Sequence, residues 1–314
     1  MPVLGWTRSL DWQAPTLDFR LNVPDGIDPR AGPNVRFGAG EAGAIASVVR
    51  WLVGRSNREL PCDRCPFMHH NIVLALAAAL AAFACLEPAS IAETLRCARF
   101  SRGELPAPMP PPYPSALERL KWINQAVKST PYSILFFGDS LTEGWDAEVW
   151  KRTLASRGAL NAGVSGDRTD HLLWRLQHGN LAGPQPKAVV LLIGTNDLAY
   201  GRSPELTADG IRANLEVLRE RLPAARILLL GLLPREESPS APLRLEVAQV
   251  NQLIRDCGDG QHIYFAEIGE VQLDRDGRLS AAIAPDQLHF TELGYALLGA
   301  RLDPELDRLL GPSR

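Results

Sequence analysis

The stretch Ile134-Leu-Phe-Phe-Gly138-Asp139-Ser140-Leu141-Thr142-Glu143-Gly144-Trp145 decides the fold. Its first half is a short apolar run rich in β-formers, bounded by Pro131 and Gly138, and reads as a strand buried on both faces of a parallel sheet. At Gly138 the pattern breaks into small and polar residues before the chain can turn into a helix. In an open α/β sheet, ligands bind in the crevice beyond the carboxyl ends of the strands. A serine placed there, beside backbone N–H groups able to hold an anion, is a candidate nucleophile.

Working outward, strand-like runs recur at Ala188–Ile193, Arg226–Leu230 and His262–Phe265, with a shorter one near Leu160. Helical patterns fall between and after them, at Ala147–Ser156, Asp170–Gln177, Thr207–Arg221, Leu243–Cys257 and Leu293–Leu310. Ahead of the first strand, Ser115 is placed to cap a helix running to about Lys128, with Leu117, Leu120, Ile123 and Val127 on one face. Such alternation means a parallel sheet covered by helices on both faces, a three-layer α/β/α sandwich with a flavodoxin-like sheet. No G-x-G-x-x-G follows the first strand, which disfavours a dinucleotide fold.

The rest of the chain is organised differently. Residues 1–67 are rich in Pro, Gly and Arg, hold no Lys and show no sustained periodicity, so they read as a poorly ordered extension, or as mis-annotated upstream sequence. Cys62-x-x-Cys65 followed by His69 and His70 is too closely spaced for a familiar zinc module. After Met68 comes the apolar run Ile72–Leu86, too short to span a membrane but suited to a signal peptide over residues 68–92. Small-residue cleavage sites follow at Ala82-Phe83-Ala84 and Ser90-Ile91-Ala92. Translation from Met68 would make the protein secreted or periplasmic, and otherwise it is cytoplasmic. Residues 93–114 form a linker ending in a stiff, proline-rich spacer, and residues 115–314 form the α/β domain.

A formal charge of −3 over 314 residues gives no reason to expect nucleic acid or an anionic membrane surface as partner. Cys62, Cys65, Cys85, Cys97 and Cys257 are too few and too scattered for a disulfide framework.

Four polar clusters stand where strands should end: Gly138-Asp139-Ser140, the loop from Asn161 to Asp167, Gly194-Thr195-Asn196-Asp197, and Asp286-Gln287-Leu288-His289 before the last helix. Each alone reads as a turn or a cap, but together and in this order they allow acyl transfer. Ser140 needs a base, which His289 supplies, and Asp286 is placed to hold the other ring nitrogen. Oxyanion donors are the backbone N–H groups of Ser140 and Gly166 and the side-chain amide of Asn196. Asp139 and Asp167 read as supports for the loop backbones. Trp145, Trp150 and Trp174 read as packing residues, and His171 and His178 as surface or rim residues. The chemistry calls for no metal and no cofactor.

These four clusters resemble the four blocks of the SGNH (GDSL-type) hydrolase superfamily, whose Ser, Gly, Asn and His fall on Ser140, Gly166, Asn196 and His289. Within it the chain is most similar to esterases built like the catalytic subunits of brain-type platelet-activating-factor acetylhydrolase. The likeness is carried by Asn161–Leu176, Leu229–Arg235, Val250–Leu253 and Leu288–Tyr295, and the nucleophile block departs from the best-known form at Thr142 and Glu143. The resemblance implies a small-molecule ester substrate, acetylated carbohydrate or phospholipid, with Leu141, Thr195 and Leu288 closing the acyl pocket. The shortness of the run Ile72–Leu86 gives no integral membrane span in the mature form, and a homodimer is left open. A longer-chain lipase or phospholipase, and a non-catalytic binding module on the same fold, are the alternatives.

Overall fold

The computed structural model describes residues 95–311. The upstream extension, the Cys62-x-x-Cys65 pattern, the apolar run Ile72–Leu86 and both cleavage sites lie outside the described residues. Helix α1 (Pro114–Ser129) starts two residues earlier than the capping pattern suggests. Tyr113 takes the N-cap position and Pro114 the first turn, where a missing N–H leaves no donor unpaired. Its core-facing stripe is Ala116, Leu120, Ile123 and Val127, while Leu117 is exposed. Ala116 sits a full turn before Leu120 and so occupies the place expected for Leu117.

Strand β1 (Ile134–Gly138) is buried throughout and passes into the short helix α2 (Ser140–Glu143). Helix α3 (Ala147–Thr153) is capped by Asp146 and ends in a tight turn closed by Gly158, earlier than the helical pattern implies. Strand β2 (Ala159–Gly163) leads through a loop to α4 (Thr169–Arg175). That helix unwinds through Leu176–Asn180, where His178 and Gly179 leave helical geometry. There follow β3 (Ala188–Leu192), α5 (Thr195–Ala199), α6 (Pro204–Arg221), β4 (Arg226–Leu230), α7 (Pro242–Ile254), β5 (Ile263–Ala266) and α8 (Glu292–Leu310).

The five strands are all parallel, in the order β2-β1-β3-β4-β5. This is the flavodoxin-like order, whose direction of winding reverses beside β1 and opens a crevice between β1 and β3. Helix α3 packs with α8, and α4, α6 and α7 pack in succession, so helices flank the sheet. The core comprises the apolar residues of β1, β3 and β4 with Leu172, Leu215, Leu218, Val250, Leu298 and Leu302. Among the described residues, no helix is long and apolar enough to cross a membrane.

Two features depart from the sequence reading. Cys97 and Cys257, 160 residues apart, form a disulfide, a pairing that spacing alone does not suggest. The segment before α1 is also tied to the domain: the N–H groups of Phe100 and Ser101 donate to Asp209 on α6 at 2.8 Å each, and Arg212 donates to the carbonyl of Cys97.

Candidate active site

All four polar clusters meet at the carboxyl ends of the strands. Close approach there depends on glycine. A Cβ on Gly138 would stand 2.1 Å from Thr142 Oγ1, and one on Gly163 would stand 2.3 Å from the backbone nitrogen of Glu143. Only residues without side chains let α2 settle onto the ends of β1 and β2. Asp139 caps α2 by accepting the N–H of Leu141 at 2.9 Å, which turns the following Ser140 out of the sheet.

His289 Nε2 lies 2.9 Å from Ser140 Oγ, and His289 Nδ1 lies 2.7 Å from Asp286 Oδ2. Because a carboxylate only accepts, Nδ1 carries the proton in the neutral ring and Nε2 is left to accept from Ser140. Asp286 also accepts the backbone N–H of His289 at 2.7 Å and of Leu288 at 3.1 Å through Oδ1. Slight burial works against its ionisation, but these hydrogen bonds outweigh that and hold the carboxyl below its ordinary range.

Gly166 adopts φ +80°, the left-handed region that favours glycine. Asn196, second residue of α5, donates one N–H of Nδ2 to the carbonyl of Asp167 at 2.8 Å, which holds its amide beside the Gly166 loop. The remaining N–H of that amide is available to an oxyanion. Leu141 and Thr195 are buried and Leu288 is half-buried.

Several supports escape a reading by motif. Glu143 accepts the N–H of Ser165 at 2.6 Å, joining the nucleophile block to the Gly166 loop, and Arg119 pairs with Glu143 while donating to the carbonyls of Gly163 and Asn161. Arg175 is fully buried and donates to Asp167 (2.5 Å), Asn180 (2.6 Å) and the carbonyls of Ala162 and Gly138 (2.9 Å each). One guanidinium thus ties the ends of β1 and β2 to the Gly166 loop. Arg235 donates to the carbonyl and hydroxyl of Thr195. Arg175 and Arg235 sit in stretches that carry the family likeness, which is the one signal that marks them in advance, and Arg119 lies outside them.

Asp139 and Asp167 are buried, as supports of the loops should be. Burial pushes the Asp139 carboxyl up to about 7 against the pull of the Leu141 N–H, and the Asp167 and Asp197 charges push the same way. Burial also raises Asp167, opposed by Arg175. His171 is a correction: it is fully buried rather than at the rim, with its Nδ1 accepting the N–H of Arg168. Burial and the nearby Arg168 charge lower it to about 4, so it is neutral at physiological pH. His178 is exposed and stacks on Trp174. Trp145 and Trp150 pack edge-on against Phe136.

Comparison with known proteins places the chain in a family. The GDSL-like Lipase/Acylhydrolase family model matches residues 136–297, from within β1 into α8. The chain belongs to that family. It is an ester hydrolase. Among curated GDSL-like relatives, the human platelet-activating factor acetylhydrolase IB subunit alpha1 is 40% identical over 181 residues, 56% of this chain and 76% of the relative. The bovine subunit is 36% identical over 220 residues, 67% of this chain and 93% of the relative. A GDSL-like lipase from Bacteroides thetaiotaomicron superposes with a TM-score of 0.52 at 22% identity, covering 62% of this chain and 98% of that one, and this supports the fold alone.

Proposed function

We propose that this GDSL-family hydrolase is a serine esterase specific for acetyl and other short-chain esters. The observation that carries the proposal is the position of His289, 2.9 Å from Ser140 and 2.7 Å from Asp286. Ser140 Oγ attacks the ester carbonyl as His289 Nε2 takes its proton, and the imidazolium that forms is stabilised by the Asp286 carboxylate. The carbonyl oxygen becomes an oxyanion held by the N–H groups of Ser140 and Gly166 and by Asn196 Nδ2. Collapse expels the alcohol, which takes the proton from His289 and leaves an acyl-Ser140. Water then attacks that acyl group with His289 again as base, and releases the acid.

Leu141, Thr195 and Leu288 crowd the acyl side and leave room for a methyl group and little more. Relatives named as acetylhydrolases support this preference. The test compares wild type with Ser140→Ala on 4-nitrophenyl acetate, butyrate and octanoate. Loss of nearly all turnover in the variant, with acetate favoured by wild type, is expected. Equal rates in the two proteins would favour a binding module, and octanoate turned over as well as acetate would favour a long-chain lipase.

The same proposal places the protein outside the cytoplasm. Disulfides persist in oxidising compartments, so the Cys97–Cys257 bond supports export from a start at Met68. The intact mass of the mature secreted form checks this, and a cytoplasmic protein beginning at Met1 would refute it.

A further inference from the structure

The open edge of the site carries two tyrosines that the hydrolytic steps do not use. Tyr113 ends the proline-rich segment at the N-cap of α1, and Tyr200 closes α5 one turn after Asn196. Their hydroxyls lie 2.8 Å apart, yet the residues remain 42% and 61% exposed. A Cβ built on Gly166 would stand 3.1 Å from Tyr113 Cε2, so the tyrosine ring lies directly against the loop expected to hold the oxyanion. Leu141 and Thr195 are buried, which leaves this edge for the part of a substrate that projects out of the crevice.

A single exposed aromatic residue needs no explanation. Two that are hydrogen-bonded to one another at the mouth of a catalytic crevice form a platform with apolar faces and polar tips. Tyr113 is delivered by Pro110-Pro111-Pro112, a stiff run that loses little freedom when a ligand settles on the ring. That run is anchored upstream by the Cys97–Cys257 bond and by Asp209.

Charge narrows the ligand. Arg168 lies over the Tyr200 ring but is bound to Asp170 through Nε at 3.2 Å and Nη2 at 3.1 Å. Arg202 pairs with Asp170 and Asp197, and Arg119 pairs with Glu143, while Arg235 is held on the carbonyl and hydroxyl of Thr195 on the acyl side. Arg168, Arg202 and Arg119 are each matched by a carboxylate, so a phosphate held on them would have to displace an existing partner. A neutral, ring-shaped alcohol with C–H faces and hydroxyl edges meets the platform without that cost.

We propose that Tyr113 and Tyr200 form the alcohol-side subsite and that it takes acetylated neutral sugars in preference to phosphate-bearing acetyl lipids. The proposal rests on the esterase reading above. Tyr113 lies before the stretch that matches the family model, so the subsite is supplied in part by this chain's own N-terminal segment.

The experiment uses the full chain and three acetyl esters: a per-acetylated methyl xyloside, a 2-acetyl glycerophosphocholine and 4-nitrophenyl acetate. Wild type should favour the xyloside over the phospholipid. Tyr113→Ala and Tyr200→Ala should each lower the ratio of xyloside to 4-nitrophenyl acetate kcat/KM by about three- to tenfold, the loss expected for one aromatic stacking contact. Tyr200→Phe should retain most of the ratio. A phospholipid preference in wild type, or a ratio unmoved when both rates fall together, would overturn the subsite and leave Tyr113 a support of the Gly166 loop. Turnover of none of the three esters, or turnover indifferent to Ser140→Ala, would instead overturn the esterase reading beneath it.

Discussion

The backbone N–H of Glu236 donates to the carbonyl of Gln287 at 2.8 Å, and both residues are held at positive φ, 61° and 63°. They are the two non-glycine residues in that region among the described residues. Gln287 sits inside the loop that carries Asp286 and His289, and Glu236 is clamped by Arg244, which donates to the carbonyls of Arg235 and Glu236. Left-handed backbone costs a side-chain-bearing residue roughly 1–2 kcal/mol, so the surrounding contacts hold this loop against its own preference. Gln287→Gly should therefore leave stability unchanged or slightly higher, while kcat falls severalfold as the loop loosens. Thermal melts and ester kinetics on one preparation check this, and a variant with full kcat would show that the backbone conformation does not serve His289.

Asn196→Ala should keep the fold and lose about 10²–10³ in kcat with little change in KM, because the donor acts on charge that develops in the transition state. A raised KM at unchanged kcat would make Asn196 a ground-state contact.

Arg175→Met removes the cation from a buried pair and leaves Asp167 uncompensated at 0% exposure. The expected loss is about 3–5 kcal/mol by chemical denaturation. Adding Asp167→Asn should recover part of it, whereas additive losses would mean that Arg175 acts mainly through the carbonyls it binds.

Asp139 gives a pH signature. Unfolded, its carboxyl ionises at its ordinary value of 3.8, and folded it keeps its proton up to about 7. The folded state therefore binds more protons across that window, so stability falls as pH rises through it and then levels. Asp139→Asn keeps the cap acceptor but cannot ionise, so the Tm of the variant minus that of wild type should climb from pH 4 to 7. Contributions from groups that do not feel the Asp139 charge cancel in that difference, whereas Asp167 and Asp197 are coupled to it and titrate with it. A constant difference would mean that Asp139 ionises normally in the folded protein.

Leu288→Ala should narrow the acetyl-to-butyryl ratio in kcat/KM, at some cost in acetyl rate. Overpacking a closed pocket costs ~1–3 kcal/mol, about ten- to a hundredfold in rate, and opening it should return much of that to the longer chain. A ratio that does not move would place the acyl group elsewhere.

The sheet was legible because its strands are apolar runs with no competing period, and the Gly138-Asp139-Ser140 turn follows directly from the break after Phe137. The candidate site was legible because three of its polar clusters stand at the ends of β1, β2 and β3 and the fourth directly precedes α8. What could not be read are contacts made at long range. His171 looks polar beside Asp170, and its burial depends on a loop folding over it. Cys97 and Cys257 lie too far apart in sequence for spacing to join them. Nothing in a proline-rich run says that Tyr113 will lie against Gly166, since composition reports stiffness but not where the stiff piece rests.

The Cys97–Cys257 bond also turns leader removal into a question of thiol parity. Of the chain's five cysteines, the proposed start at Met68 would discard Cys62 and Cys65. Cleavage after Ala92 would remove Cys85 as well and leave a mature chain with two thiols, a single way to pair them and nothing to reshuffle. Cleavage after Ala84 would instead leave Cys85 at the new amino terminus, a third thiol that competes with the native pair throughout the wait for Cys257 to emerge. On the proposed export, the position of one cut ahead of Cys97 would thus set whether a third thiol can compete in oxidative folding.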